Sequence, residues 1–150
     1  MTRFLAVEAD TLALGAALAR GVRAGMVIYL TGDLGAGKTT LARGVLRALG
    51  VTERVKSPTF TLVEPYTISS LYLYHFDFYR FNSSDEWMDA GFREYFNPES
   101  VCLVEWSEKA SGQLPAPDVR VAMEADGSGR SVTLSADTEA GEDCLKRLQH

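Results

Sequence analysis

Residues 32–39 have the types and the spacing of a phosphate-binding loop. They match the pattern G-x-x-x-x-G-K-[ST] at every fixed position. Glycine permits the tight turn that aims successive backbone N–H groups at a phosphate chain. In this pattern the Lys38 ammonium reaches the β- and γ-phosphates, and the Thr39 hydroxyl can ligate Mg²⁺. The candidate phosphate-binding residues are Gly32, Asp33, Leu34, Gly35, Ala36, Gly37, Lys38 and Thr39.

Two acids are candidates for the remaining chemistry. Transfer of a phosphoryl group to water needs an acid that holds Mg²⁺ or its water, and a group that orients the attacking oxygen. Glu105 follows the apolar run 101–104 and Asp77 follows the run 71–76. Both would therefore stand at the carboxyl edge of the sheet, where α/β folds bind their ligands. The competing interpretation is a solvated acid at a strand end, or an ion pair of Asp77 with Arg80.

Three further features near these acids have less specific interpretations. Ser57-Pro58-Thr59-Phe60 follows the loop's helix, where many P-loop proteins carry a segment that senses the γ-phosphate, but it also fits a simple turn. His75 alternates with aromatic residues on a strand and is interpreted as structural. Aromatic packing is the default interpretation of Trp106, although it could touch a ligand or a partner.

The segments beside the loop have the pattern of a strand and a helix. Residues 26–31 are nearly all apolar, which is typical of a parallel strand buried on both faces. Residues 38–49 have the stripe of an amphipathic helix, which Gly50 ends. Further helices are predicted at 11–24 (capped by Asp10), at 83–96 and, loosely held, at 139–149. Further strands are predicted at 59–66, 71–76, 101–104, 119–124 and 130–136.

These elements predict an α/β fold made of one P-loop NTPase-like domain over residues 1–150. Its central mixed sheet is flanked by helices and ends in a late antiparallel hairpin formed by 119–124 and 130–136. A length of 150 residues and 46% apolar content suit a single packed core and exclude a disordered or fibrous chain.

Charge and cysteine content restrict the partners and the compartment. Twenty acids and fifteen bases give a net charge of −5, which argues against a broad basic face that clamps nucleic acid. Two cysteines are too few for a disulfide framework and fit a reducing cytoplasm. No stretch approaches the roughly 20 apolar residues of a membrane span, and the N-terminal residues lack a signal-like apolar run. We expect a cytoplasmic protein that is monomeric when alone.

Four segments together resemble the bacterial TsaE family, formerly called YjeE. They are the loop at 32–40, the segment 57–63, the run His-Phe-Asp-Phe-Tyr-Arg at 75–80, and Glu105-Trp106. The resemblance implies a small ATPase required for threonylcarbamoyladenosine in tRNAs that read codons beginning with A. In that family the protein binds a TsaB–TsaD complex, and its ATP hydrolysis is thought to reset that complex between rounds.

The resemblance also implies roles for particular residues, with ATP and Mg²⁺ as the cofactors. Thr39 and Glu105 would hold Mg²⁺, while Asp77 would act through a Mg²⁺-bound water or the attacking water. Residues 57–60 would form a switch-like segment. The implied catalytic residues are Lys38, Asp77 and Glu105. The implied nucleotide-binding residues are those of the loop with Thr40, and Thr11 and Arg130 beside the base or ribose.

Two other functions stay open at this point. A P-loop kinase of a small acceptor generally needs an arginine-rich lid, and the paired arginines of this chain lie on predicted helices. A guanine-specific regulatory switch usually carries Asn-Lys-x-Asp, and neither Asn82 nor Asn97 begins that motif. Because the chain is acidic, any contact with tRNA is expected to run through the partner complex.

Overall fold

One mixed seven-stranded sheet carries the phosphate-binding loop. The computed structural model describes residues 1–33, 35–58, 60–68, 71–81, 91–110 and 112–148. In chain order the strands are β1 (Thr2–Leu5), β2 (Val27–Thr31), β3 (Val63–Ile68), β4 (Leu71–Asp77), β5 (Ser100–Glu105), β6 (Val119–Asp126) and β7 (Gly129–Ala136). Their order across the sheet is β1-β7-β6-β2-β5-β4-β3.

The four central strands run parallel, and antiparallel strands extend the sheet on both sides. β2 pairs with β5 and β6, and β4 pairs with β5, all in parallel. β3 pairs antiparallel with β4, while β6, β7 and β1 form an antiparallel series. The predicted late hairpin is therefore confirmed as β6 and β7. The carboxyl ends of β2, β4 and β5 meet at one edge, where an α/β sheet binds its ligand.

Helices and short turns cover the two faces of the sheet. The described α-helices are α1 (Glu8–Ala19), α2 (Lys38–Leu49) and α3 (Glu139–Leu148), and the 3₁₀ turns are Phe92–Tyr95 and Ser107–Ala110. The prediction for α2 is confirmed with the same bounds, and Gly50 ends it with a left-handed φ of 113°. Within the described ranges, no helix has the length and apolar character needed to cross a membrane.

The sheet is buried on both faces, as the apolar run before the loop predicts. Ile28 and Leu30 of β2 lie in a cluster with apolar residues of α1, α2 and α3. Val27 and Tyr29 point to the other face, where they join an aromatic cluster. That cluster includes Phe76, Phe78, Phe81 and Phe92. The sheet thus has a helical cover on one face and an aromatic cover with 3₁₀ turns on the other.

The prediction for the first helix is wrong at both ends. α1 begins at Glu8 rather than at residue 11, because the Asp10 carboxylate caps from inside the first turn. It accepts the N–H groups of Ala6 at 3.0 Å and Val7 at 3.3 Å. The helix ends at Ala19 rather than at residue 24. Two residues further on, the chain passes close to α3, where a Cβ at Gly21 would lie 2.6 Å from Cys144 Cα.

Two other predicted elements differ from the structure. The strand predicted at 59–66 begins only at Val63, because a turn closed by the Leu62 N–H and the Pro58 carbonyl precedes it. Of the helix predicted at 83–96, residues 83–90 lie outside the described part. The remainder is the 3₁₀ turn Phe92–Tyr95, which follows Gly91 with a left-handed φ of 71°.

The described elements nearest the two ends of the chain are more ordered than the sequence indicates. α3 is not loosely held, because Cys144 and Leu148 are buried in the main core. The structure also contains β1, which the sequence analysis did not predict. Four residues are a short signal for a strand, and β1 depends on pairing with β7 for its hydrogen bonds.

We expect Gly44→Ala to destabilise the protein, because α1 and α2 meet through glycines. A Cβ at Gly44 would lie 2.6 Å from the Leu12 carbonyl oxygen, and one at Gly15 would lie 2.5 Å from that of Leu41. Overpacking costs about 1–3 kcal/mol, which exceeds the gain of about 1 kcal/mol in helix propensity. Urea unfolding measures the change, and Lys146→Ala at an exposed position of α3 is the control. An unchanged or higher midpoint for Gly44→Ala would contradict this packing.

Candidate nucleotide site

The phosphate-binding loop joins β2 to α2 and leaves no room for side chains at its first glycine. Gly32 has a φ of 137°, and a Cβ there would lie 2.2 Å from the Met123 carbonyl oxygen of β6. Gly37 has a φ of 101° directly before α2. Both positions therefore require glycine for backbone reasons. The predicted contact residue Leu34 lies outside the described residues.

Lys38, the first residue of α2, is buried at the centre of this edge. Its Nζ donates to the Gly32 carbonyl and lies 3.7 Å from the centroid of the Trp106 ring. Burial lowers the pKa of Lys38, while the negative charges of Glu105 and Asp77 act in the opposite direction. A cation in these surroundings is a strong attractor for a phosphate group.

Trp106 follows β5 and has an unusual backbone conformation. Its φ of 59° is left-handed, which is uncommon for a large residue and turns the chain sharply after Glu105. The ring packs against Tyr79 with centroids 4.9 Å apart, and its face lies over the Lys38 ammonium. The default interpretation of Trp106 as packing is therefore incomplete. The sequence does not indicate that Trp106, the residue after a strand-end acid, has a left-handed backbone conformation.

The two candidate acids lie side by side, as their positions at strand ends predict. Asp77 and Glu105 are register partners on β4 and β5, and both are buried. The Thr39 hydroxyl is 3.2 Å from Oε2 and 3.4 Å from Oε1 of Glu105. Asp77 Oδ1 accepts the N–H of Tyr79 at 2.9 Å, which orients its carboxylate. The structure therefore brings the predicted magnesium ligands and the predicted essential acid together.

His75 has a role that sequence reasoning missed. Its Nε2 lies 2.6 Å from Glu105 Oε2, and the imidazole is fully buried. When the carboxylate is ionised it only accepts hydrogen bonds, and Nε2 then donates to it. Its Nδ1 has no hydrogen-bond partner among the described residues. The sequence held one signal for this contact. Residues two apart on a strand share a face of the sheet, so His75 lies on the same face as the candidate acid Asp77.

Two adjoining cavities surround the loop. The larger, of about 300 Å³, is lined by Gly35, Gly37, Lys38, Thr39, Thr40, Asp77, Glu105, Trp106 and Arg130. The smaller, of about 140 Å³, is lined by residues 5–8, Thr11, Gly37, Thr40, Ser128, Gly129 and Arg130. The first holds the acids and the lysine, and the second holds Thr11. Arg130 lines both, as a residue at their junction.

Some predicted residues lie away from these cavities. Asp33 is exposed and Ala36 is buried, and neither lines either cavity, nor does Gly32. The described members of the switch-like segment, residues 57, 58 and 60, do not line them either, and Thr59 lies outside the described residues. Phe60 is 81% exposed, with the Arg80 guanidinium 5.0 Å from its ring.

The fold and the loop together define the class of the protein. A parallel sheet core, a glycine loop between β2 and a helix, and strand-end acids are the features of a P-loop NTPase-like domain. The crystal structure of Bacillus subtilis YdiB has the same fold, with a TM-score of 0.85 and 33% sequence identity. That match covers 99% of this chain and 93% of the other.

Comparison of sequences gives the family. The model of the family described as "Threonylcarbamoyl adenosine biosynthesis protein TsaE" matches residues 5–132. The chain is 46% identical over 125 residues to the tRNA threonylcarbamoyladenosine biosynthesis protein TsaE of Haemophilus influenzae, covering 83% of this chain and 79% of that protein. The TsaE protein of Bacillus subtilis is 41% identical over 128 residues, covering 85% and 80%. The chain belongs to the TsaE family, which confirms the resemblance carried by the four motifs.

We expect His75 and Glu105 to be energetically coupled. His75→Leu removes the donor to a buried carboxylate, which costs about 1–3 kcal/mol, whereas His75→Gln keeps an N–H at a similar reach. Chemical denaturation of both variants, alone and combined with Glu105→Leu, measures the coupling. The cost of His75→Leu should shrink when the carboxylate is absent. Strictly additive effects would show that the pair contributes nothing to stability.

Proposed function

We propose that this chain binds Mg·ATP and hydrolyses its γ-phosphate as an accessory ATPase of tRNA threonylcarbamoyladenosine biosynthesis. The observation that supports this most directly is the register pairing of Asp77 with Glu105 beside Thr39. This pairing places two carboxylates and a hydroxyl beside the phosphate-binding loop. A merely structural glycine turn has no need of buried acids at that position.

The donor set fits magnesium. Mg²⁺ prefers oxygen ligands and is usually bound through one or two protein oxygens together with substrate phosphates and water. Thr39 and Glu105 offer such oxygens close together. In the described ranges, no group of three or more His, Cys, Asp or Glu side chains could hold a metal ion. That result suits a site in which the nucleotide supplies the remaining ligands. Bound Mg²⁺ would neutralise charge on the phosphate oxygens.

The residues of this chain would then have separate tasks. The loop's main-chain N–H groups and the start of α2 would bind the phosphates, and Lys38 would neutralise the β- and γ-groups. Asp77, held by the Tyr79 N–H, would orient the attacking water. Thr11 and Arg130 would border the base or ribose, in keeping with their place in the smaller cavity.

The partners in this proposal are proteins of the TsaB and TsaD type in the cytoplasm. The family membership supports a place in threonylcarbamoyladenosine biosynthesis. The net charge of −5 suits a protein that meets tRNA only through such a complex. Nucleotide turnover by the chain alone would then be slow, because the complex would complete the reaction cycle.

We expect Lys38→Ala and Glu105→Gln to separate binding from hydrolysis. Lys38→Ala removes the charge beside the phosphates and should weaken ATP binding as well as turnover. Glu105→Gln keeps the shape but removes the negative charge of the proposed magnesium ligand, so ATP affinity should change little while hydrolysis falls by roughly 10²-fold or more. Calorimetry with Mg·ATP and a phosphate-release assay measure the two effects. Exposed Glu124→Gln is the matched control, and normal turnover by Glu105→Gln would refute the metal assignment.

We expect phosphate release to depend on TsaB and TsaD rather than on a small acceptor. The chain, purified and mixed with both proteins from a related bacterium, should be retained with them in a pull-down with ATP and release phosphate faster. Equal affinity for GTP and ATP, or ADP formed only with a small acceptor, would instead favour the switch or the kinase. Tight tRNA binding by the chain alone at physiological salt would contradict the indirect role.

A further inference from the structure

Arg130, the second residue of β7, holds the phosphate-binding loop by its main-chain carbonyls. Its Nε donates to the Ala36 carbonyl at 3.0 Å, and its Nη2 donates to the Gly35 carbonyl at 2.9 Å. Its Nη1 donates to the Gly129 carbonyl at 2.9 Å, which fixes the guanidinium against its own strand. Of the ion pairs within the described residues, none includes Arg130.

These contacts determine which way the neighbouring N–H groups point. In a planar trans peptide unit, the C=O of one residue and the N–H of the next point in opposite directions. The carbonyls of Gly35 and Ala36 point to Arg130, so the N–H groups of Ala36 and Gly37 point away from it. The Ala36 N–H donates to the Asp33 carbonyl at 3.1 Å and so closes a turn of the loop, and the Gly37 N–H is the donor that this geometry turns toward an anion.

We propose that Arg130 is a positioning residue, which orders the loop and orients its Gly37 N–H before an anion binds and thereby raises the affinity for the polyphosphate part of a nucleotide. The inference rests on the proposed function, since polyphosphate is the ligand. Donors that are already oriented need no reorganisation on binding, so a larger share of their interaction energy appears as affinity. The planar guanidinium serves three carbonyls at once, which the single Nζ of lysine cannot do.

Two other roles for Arg130 make different predictions. As a residue at the junction of both cavities, it could contact only the nucleoside, and its loss would then spare inorganic tripolyphosphate. It could also act only through its positive charge, and lysine would then replace it. A positioning role predicts that both Arg130→Lys and Arg130→Ala weaken the binding of ATP and of tripolyphosphate.

Calorimetry with ATP and with inorganic tripolyphosphate, each with Mg²⁺, distinguishes these roles. We expect both Arg130 variants to lose about tenfold or more in affinity for both ligands, which corresponds to one charge-assisted hydrogen bond. Arg120→Lys and Arg120→Ala on the neighbouring strand are the controls, since Arg120 pairs with Asp137 and lines neither cavity. Near-normal tripolyphosphate binding by either Arg130 variant would overturn the proposal.

A measurement without ligand keeps the test independent of the proposed function. Amide hydrogen exchange, followed by NMR, should be about tenfold faster at Ala36 in Arg130→Lys than in the wild type or the Arg120 variants. Unchanged exchange would overturn the positioning role. If the wild-type chain bound neither ATP nor tripolyphosphate, the proposed function would fall, and this exchange measurement would still decide whether Arg130 orders the loop. Arg130→Lys carries the test if Arg130→Ala does not fold.

Discussion

The buried carboxylate of Glu105 is the interaction on which the rest of this site depends. It is only 2% exposed, and an ionised carboxylate in that position is costly unless hydrogen-bond donors surround it. His75 of β4 and Thr39 of α2 supply donors from two different elements. The hydrogen bonds to this one carboxylate therefore align β4, β5 and the first turn of α2. The same alignment places the edge of the sheet where phosphate oxygens and a metal ion would bind.

The charge of Lys38 also depends on the two buried acids. Burial lowers its pKa by disfavouring the ammonium, whereas Glu105 and Asp77 favour that charged form. Its polar contact is a carbonyl of the loop itself, and its aromatic contact is Trp106. Both contacts are neutral groups, which attract the ammonium more weakly than an anion does. A phosphate oxygen that replaced them would bring a full negative charge to Lys38. Among the ion pairs within the described residues none includes Lys38, so its burial rests on these neutral contacts and on the nearby charges of the two acids.

The features predicted from the sequence are those in which local pattern and fold agree. The bounds of α2, the buried strand before it and the two strand-end acids follow from periodicity and from the edge rule for parallel sheets. The errors concern interactions between distant segments. α1 is shifted because Asp10 caps from inside its first turn. The interpretation of His75 as structural did not include its partner, because the contact with Glu105 joins residues 30 positions apart.

The late hairpin illustrates the same limit and has a consequence for the loop. In the sequence, β6 and β7 are an ordinary antiparallel pair at the end of the domain. In the structure, β6 approaches Gly32 so closely that a Cβ would lie 2.2 Å from the Met123 carbonyl oxygen, while Arg130 of β7 binds the carbonyls of Gly35 and Ala36. The loop is thus held at its start and at its centre by one hairpin. A glycine-rich loop has high conformational entropy, and such contacts restrict it before any ligand arrives. The hairpin is therefore part of the candidate anion site, although most of its residues do not line the two cavities.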